Sequence, residues 1–143
     1  MYDSILLPTD GSDGATEALE HALGAAEAYG AELHIVSVVD RRVVLAADAE
    51  EKPDVRSELS DDADSAVDEL VTRTADAGAS ITTATPEGVP FREILTYADE
   101  ESIDLLVIGT QGRTGREKRL NLGSTTERIV KKADRPILVV DIG

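Results

Sequence analysis

Short apolar runs alternate with longer stretches of helical periodicity along this chain of 143 residues. The first run, Ser4–Pro8, ends in the turn residues Thr9–Ser12 and predicts a buried strand. Apolar residues at helical spacing follow, and they predict a helix that stops at Gly30. A second apolar run, Leu33–Val39, is nearly continuous, which is typical of a parallel strand buried on both faces.

The same alternation continues after one segment in which the pattern is weak. Residues 40–59 are polar and acidic, and we expect there a long, mobile connection with some helical content. Residues 86–90 are predicted to form a loop between a strand and a short helix. The remaining elements are predicted as a helix over 63–75 that ends at Gly78, a strand over 80–85, a short helix around 94–98, a strand over 105–108, a helix over 124–133 and a strand over 136–140.

This order of elements predicts a single α/β domain that covers residues 1–143. Strands and helices follow one another as β-α-β-α-β-α-β-α-β, which indicates a doubly wound, parallel, five-stranded sheet with helices on both faces. In such sheets, ligands bind beyond the carboxyl ends of the strands, where the strand order reverses. We therefore expect functional residues directly after the strands.

The charge of the chain limits its partners. There are 14 basic and 29 acidic residues, giving a net charge of −15. Nucleic acids and anionic membrane surfaces would be repelled, so binding to either is disfavoured. Only four of the basic residues are lysine. An acidic, lysine-poor composition favours an origin in a salt-loving organism, where salt screens self-repulsion, and an ordinary acidic protein is the alternative.

Other compositional features exclude some chemistry and suggest a location. The chain has no cysteine, which excludes disulfides and thiolate metal sites. His21 and His34 are too far apart in the pattern to suggest a zinc site. The chain starts without a basic and apolar leader, and no segment approaches the roughly 20 apolar residues that span a bilayer. We therefore expect a cytoplasmic protein.

The clearest chemical motif is the glycine-bearing loop between the fourth strand and the last helix. Gly109 ends the strand, Gly112 and Gly123 lie within the loop, and Ser124 opens the helix. Glycines let backbone N–H groups approach an anion, and a helix N-terminus adds unpaired N–H groups and the positive end of its dipole. The motif predicts a phosphate site, although the same glycines would also permit a plain tight turn.

Basic residues concentrate around this loop. Residues 113–132 contain seven of them and two acidic residues, which gives the segment a local charge of +5. An anionic ligand would therefore escape repulsion there, unless these side chains are merely solvated. The seven are Arg113, Arg116, Lys118, Arg119, Arg128, Lys131 and Lys132.

Two residues at the predicted ligand edge admit both a structural and a functional interpretation. Ser124 and Glu127 form a capping-box pattern, which contributes roughly 1 kcal/mol, yet the Ser124 N–H could still face a phosphate. Asp10 follows the first strand, where its carboxylate could accept a ribose hydroxyl or hold a divalent ion. Asp10 could equally be a turn residue beside Gly11. Asp40, after the second strand, could accept a ribose hydroxyl in the same way, although the pattern favours it less.

Taken together, these segments resemble the universal stress protein family over essentially the whole chain. The resemblance is carried by Ile5–Ser12, His34–Asp40, Leu105–Ser124 and Pro136–Val140. The chain lacks the G-x-x-x-x-G-K-S/T motif of P-loop enzymes and the G-x-G-x-x-G motif of dinucleotide-binding domains.

The ATP-binding branch of that family has a G-x2-G-x9-G-S/T loop. Here Gly109 and Gly112 match the pattern, whereas ten residues instead of nine separate Gly112 from Gly123. The extra residue falls in the basic stretch of the loop, so we expect a bulge there with both glycine anchors kept.

The resemblance implies an adenine nucleotide alpha hydrolase-like fold that binds ATP or another adenine nucleotide, with Mg²⁺ or Mn²⁺ and with Asp10 as a possible metal ligand. It also implies a homodimer through the last strand, and the apolar edge Ile137–Val140 would need such a cover. Carried over by position, the implied contacts are Pro8, Thr9 and Asp10 around the adenosine, Val38 and Gly88 at the adenine, and Gly109, Gly112, Arg113, Gly123, Ser124 and Thr125 around the ribose and phosphates.

Three functions stay open at this point. The leading hypothesis is a nucleotide-responsive stress and regulatory module, because the loop offers cations but no convincing base for rapid hydrolysis. The second is a nucleotide-free interaction protein of the same fold, whose basic loop contacts an acidic partner. The third is a slow, metal-dependent ATPase in which Asp10 holds the metal.

Overall fold

A computed structural model of the chain describes residues 1–12, 14–110 and 124–141. Its strands are short and apolar, and its helices are longer and amphipathic. In chain order the elements are β1 (Ser4–Pro8), α1 (Ala15–Tyr29), β2 (Glu32–Val36), β3 (Val39–Asp40), α2 (Arg41–Ala46), α3 (Lys52–Arg73), β4 (Ile81–Ala84), β5 (Glu87–Gly88), α4 (Pro90–Glu100), β6 (Leu105–Gly109), α5 (Ser124–Lys132) and β7 (Ile137–Val140).

Five of these strands form a parallel sheet in the order β4-β2-β1-β6-β7. β1 lies in the centre, where Leu6 is in register with His34 of β2 and with Leu106 of β6. The chain extends the sheet to one side of β1 with β2 and β4, and then to the other side with β6 and β7. The predicted doubly wound, five-stranded sheet is therefore confirmed, and its order reverses between β1 and β6.

Alternating side chains of the strands build a core on each face of the sheet. Ile5 and Leu7 point to one face, where they pack with residues of α1 and α3. Leu6, between them, points to the other face and packs with residues of α4 and α5. All three leucine and isoleucine side chains of β1 are fully buried, which explains why the sequence of this strand is continuously apolar.

The helical content expected over 40–59 is confirmed, but the segment is mostly helical and is not one long connection. Asp40 caps α2, and α3 then begins at Lys52 and runs for 22 residues, with Pro53 in its first turn. The buried residues of α3, from Ala63 to Leu70, all lie in its second half. The first half is mostly exposed and acidic, and its apolar residues at helical spacing, Val55 and Leu59, are only half-buried, so the helical pattern there is weak.

The second strand and the loop 86–90 also differ from expectation. The second strand ends at Val36, and the next two-residue strand, β3, pairs in parallel with β5. Arg56 of α3 donates from Nε to Glu87 Oε1 at 2.8 Å and so connects α3 to this small sheet. Strands of two residues are too short to show a period of two along the chain.

Within the described residues, no helix has the length and apolar content to cross a membrane.

Candidate functional site

A cavity of about 380 Å³ opens at the carboxyl edge of the sheet, where the strand order reverses. Its walls come from the ends of β1 and β6, from α2 and from the starts of α1, α4 and α5. This is the position at which doubly wound sheets bind ligands, and the volume is within the usual range of about 300–1,000 Å³ for small-molecule sites.

The end of β1 forms a tight turn at the cavity wall. Thr9 is buried, its N–H donates to Val36 O at 2.8 Å, and its Oγ1 accepts the N–H of Gly11 at 3.1 Å. Asp10 Oδ1 accepts the N–H of Ser12 at 3.0 Å. Gly11 has a φ of +83°, a conformation that glycine adopts without strain. The turn role of Asp10 is therefore confirmed, and the residue also lines the cavity.

The first turn of α5 forms the opposite polar wall. Ser124, Thr125 and Thr126 all line the cavity, and Thr126 Oγ1 lies 3.5 Å from the carbonyl oxygen of Gly109. The first N–H groups of a helix have no partner within the helix and lie at the positive end of its dipole. This wall can therefore stabilise an anionic group of a ligand.

Large apolar side chains form much of the remaining wall of the cavity. They come from β2 and the residues after it, from β6 and from the inward faces of α4 and α5, and they are Val36, Val38, Pro90, Ile94, Ile108 and Ile129. A cavity with an apolar wall and one end rich in N–H donors suits a ligand with a flat ring and an anionic group.

An ion pair between Asp40 and Arg42 lies on the rim. Arg42 donates from Nη2 to Asp40 Oδ2 at 2.8 Å, and from both Nε and its backbone N to Asp40 Oδ1 at 3.0 Å. The hydrogen bonds from the Arg42 side chain lower the pKa of the Asp40 carboxyl, and the same contact raises the pKa of Arg42. A ribose hydroxyl would therefore have to compete with Arg42 for Asp40.

Arg42 lines the cavity and was missed in the sequence. The sequence contained a usable signal for Arg42, because an arginine two residues after the aspartate that ends a strand can fold back onto that carboxylate. Three of the basic residues that were predicted near the phosphate lie in the described part of the chain, and all three are elsewhere. Arg128 and Lys132 contact Phe91, and Lys131 Nζ pairs with Glu127 Oε1 at 2.9 Å. None of these three lines the cavity.

Most of the predicted site residues that the structure describes come together at this cavity. Gly88 does not line it, although it pairs with Asp40, which does, and a Cβ at Gly88 would overlap the Glu93 side chain. Gly112, Arg113 and Gly123 lie outside the described residues. Those that line the cavity are Pro8, Thr9, Asp10, Val38, Gly109, Ser124 and Thr125.

Titratable side chains within the described ranges offer little for a resident metal. They contain no group of three or more His, Asp and Glu side chains that could hold an ion. His34 is buried, and its Nδ1 lies 2.7 Å from the hydroxyl oxygen of Tyr97, on the far side of β2 from α1 and α3. Two carboxylates line the cavity, Asp10 and Asp40, and Asp40 is already paired with Arg42. Asp10 is therefore the carboxylate that suits an ion that a ligand's phosphates also hold.

Comparison with known proteins decides the family. The sequence profile of the universal stress protein family matches residues 1–141. The chain belongs to the universal stress protein family. Its relative MJ0531, a universal stress protein of Methanocaldococcus jannaschii, is 39% identical over 141 residues, which cover 98% of this chain and 82% of that protein.

Solved universal stress proteins have the same fold. MJ0577 of the same archaeon superposes with a TM-score of 0.84 at 31% identity, covering 98% of this chain and 96% of that one. UspA from Lactobacillus plantarum gives a TM-score of 0.81 at 30% identity, covering 97% of each chain. A further universal stress protein, solved in complex with cAMP, gives 0.75 at 28% identity and covers 99% of each chain.

Proposed function

We propose that this universal stress protein binds ATP, or another adenine nucleotide, in the cavity and acts as a nucleotide-responsive stress and regulatory module. The observation that carries the proposal is that the first turn of α5 lies at the cavity, next to an apolar wall. The adenine would lie near Val38 and Pro8, and the phosphates near Gly109, Ser124 and Thr125. A solved relative in complex with cAMP supports an adenine nucleotide as the ligand class.

The residues at the cavity fit a nucleotide–metal complex. Mg²⁺ usually takes one or two protein carboxylates together with substrate phosphates and several waters, so Asp10 would supply the protein carboxylate. Bound in this way, the ion would neutralise phosphate charge, which the acidic chain otherwise repels. ATP is abundant in the cytoplasm, which is where we propose that the protein works.

Calorimetric titration with ATP and Mg²⁺ tests the proposal. We expect saturable binding that Thr125→Glu weakens by about tenfold or more, because a carboxylate in the first turn of α5 would repel phosphate. The same substitution favours the helix dipole, so the variant should fold. Thr96→Glu is the matched control, since Thr96 is exposed on α4 and does not line the cavity.

Titration with adenosine measures the contribution of the base and ribose without that of the phosphates. We expect adenosine to bind wild type and Thr125→Glu equally, because it carries no phosphate for the new carboxylate to repel. Absence of ATP binding to wild type would favour the nucleotide-free interaction protein. ATP hydrolysis at ordinary enzyme rates of about 1–10³ s⁻¹ would instead favour an enzyme over a module.

We also propose that two copies pair through β7. This strand is at the edge of the sheet, and Leu138 on it is 40% exposed. Val130 of α5, 41% exposed, adds a second large apolar side chain. Leu138→Asp should convert a dimer into a monomer in light scattering, whereas Leu45→Asp, at another exposed apolar position, should not. A wild-type monomer at high protein concentration would contradict this pairing.

A further inference from the structure

Three cationic side chains surround one aromatic ring on the outer face of α4 and α5. The ring is that of Phe91, a buried residue in the first turn of α4. Arg128 Cζ lies 4.9 Å from the ring centroid, Arg92 Cζ 5.5 Å and Lys132 Nζ 5.7 Å. We call these four residues the Phe91 patch. The distances fit cation–π contacts, which extend to about 6 Å.

The charges of the Phe91 patch have no counterion among the described residues. No carboxylate there pairs with Arg92, Arg128 or Lys132. Arg41 and Lys52 also lack such a pair in the described residues, whereas five other basic side chains have one: Arg42, Arg56, Arg73, Lys131 and Arg135. The chain has 29 acidic and 14 basic residues, so acidic partners are not scarce.

The three cations also repel one another. Each lies within about 6 Å of the same ring centre, so their separations are comparable to the Debye length of about 8 Å at physiological ionic strength. The face of the ring offsets part of this repulsion, and an external anion would offset more of it. The surface is therefore prearranged for a negatively charged group.

We propose that the Phe91 patch is a docking surface for a short acidic segment of a partner protein. Guanidinium groups bind carboxylates through paired hydrogen bonds, and two of the three cations are arginines. Stacking on the ring already restricts these long side chains, so binding would cost less side-chain entropy than for free lysines and arginines. Phe91 itself anchors the arrangement by packing into the core between the two helices.

The size of the surface favours a peptide over a nucleic acid. Duplex DNA carries one charge per about 1.7 Å along its axis, so its charges would extend well beyond three cations. The net charge of −15 would then repel the remainder of the duplex. A short run of glutamate or aspartate needs only the local match. This inference does not rest on nucleotide binding, because the three cations do not line the cavity.

Fluorescence anisotropy with a short, fluorescein-labelled oligoglutamate peptide at low ionic strength tests the inference. We expect wild type to bind the peptide and Arg128→Gln/Lys132→Gln to bind it about tenfold more weakly or worse. The control is Lys52→Gln/Arg73→Gln, which removes the same charge from α3 and should bind within about twofold of wild type. Circular dichroism establishes that all variants are folded.

A charge-conserving exchange and a DNA duplex serve as two further tests of the proposed docking surface. The exchange Arg128→Lys/Lys132→Arg keeps both charges and should retain most of the affinity, even if the glutamine variant were to unfold. A labelled DNA duplex of matched charge should bind more weakly than the peptide. Three outcomes would each overturn the proposal. In the first, wild type and a folded Arg128→Gln/Lys132→Gln bind the peptide equally. In the others, wild type does not bind the peptide, or it prefers the duplex.

Discussion

At the scale of single residues, Asp40 serves both the fold and the cavity rim. Its carboxylate accepts the backbone N–H that opens α2, and it also accepts two hydrogen bonds from the Arg42 side chain. These contacts place the guanidinium on the rim, where its remaining N–H groups can meet acceptor atoms of a ligand. Asp40 therefore holds Arg42, and its contact with a ribose stays a prediction.

The pH dependence of stability should reveal this pair. The folded pKa of Asp40 lies below its ordinary value of 3.8, chiefly because of the hydrogen bonds from Arg42. The contribution of the pair is therefore complete above that value and is lost as the pH falls below it. Asp40→Asn should lower the free energy of unfolding near neutral pH by less than about 1 kcal/mol, since Arg42 is exposed.

Urea unfolding measures this difference at neutral pH and at about pH 3. The gap between wild type and Asp40→Asn should shrink at acid pH. Asp76→Asn, at an exposed position with no described side-chain partner, should show no such change. A gap that is the same at both pH values would contradict a stabilising ion pair.

His34 and Tyr97 form a second polar contact, within the layer under α4. The 2.7 Å contact gives the buried imidazole a partner, and burial, followed by Glu101 and Glu32, raises the pKa of Tyr97. Tyr97→Phe should lower the free energy of unfolding by about 1–3 kcal/mol, because it leaves Nδ1 of His34 without that partner. Tyr29→Phe removes an exposed hydroxyl and is the control in the same denaturant titration. Equal effects would show that the His34 contact contributes nothing.

At the scale of elements, Gly88 in the small sheet of β3 and β5 lies against the Glu93 side chain of α4. A Cβ there would overlap the Glu93 side chain of α4, only one turn into the helix. Gly88→Ala should lower the free energy of unfolding by about 1 kcal/mol or less, because the flexible Glu93 side chain can rotate away from the new Cβ, and Glu93→Ala should remove that small cost. A double-mutant cycle in thermal unfolding measures the coupling, and strict additivity of the two changes would rule out the proposed overlap.

Elements with a strong apolar pattern could be predicted from the sequence. β1, α1, β6 and α5 appear within a few residues of expectation, because their buried faces impose a clear period. The first half of α3 was not predicted, because only Val55 and Leu59 mark its inner side among acidic residues, and β3 and β5 are too short to have a period. Tertiary pairing, and not local pattern, determines that these two segments are strands.

The candidate site was predictable to the extent that it follows strands. Asp10 and Gly109 lie at the ends of adjacent strands, so the sheet order alone brings them together. Gly88 is not part of the cavity lining, and its contact with Glu93 is one that no linear pattern shows. Arg128 and Lys132 were misplaced because charge counts along a helix do not reveal which side each residue faces.

At the scale of the whole molecule, the net charge of −15 should make stability depend on salt. Added KCl screens repulsion between the acidic side chains, and the Debye length falls from about 10 Å at 0.1 M to about 3 Å at 1 M. We expect the midpoint of urea unfolding to rise over this range. The inference of a salt-loving origin, made from composition, stays a prediction.

A charge variant separates screening from other salt effects. Asp61→Asn/Asp62→Asn removes two exposed carboxylates of the acidic half of α3 and should weaken the response to KCl. Lys52→Gln/Arg73→Gln, which adds two units of net negative charge, should strengthen it. An identical salt response in all three proteins would assign the effect to the salt's action on apolar surface and not to charge.

Helix α5 takes part in both proposed sites through different turns. Ser124 begins a row of i, i+4 neighbours that continues through Arg128 to Lys132, so one end of the row lines the cavity and the other end contacts Phe91. If a nucleotide shifts this helix and thereby changes the affinity for an acidic segment, thermodynamic reciprocity requires that segment to change the nucleotide's affinity by the same factor. A partner protein would then set how much nucleotide the cavity retains at a given concentration.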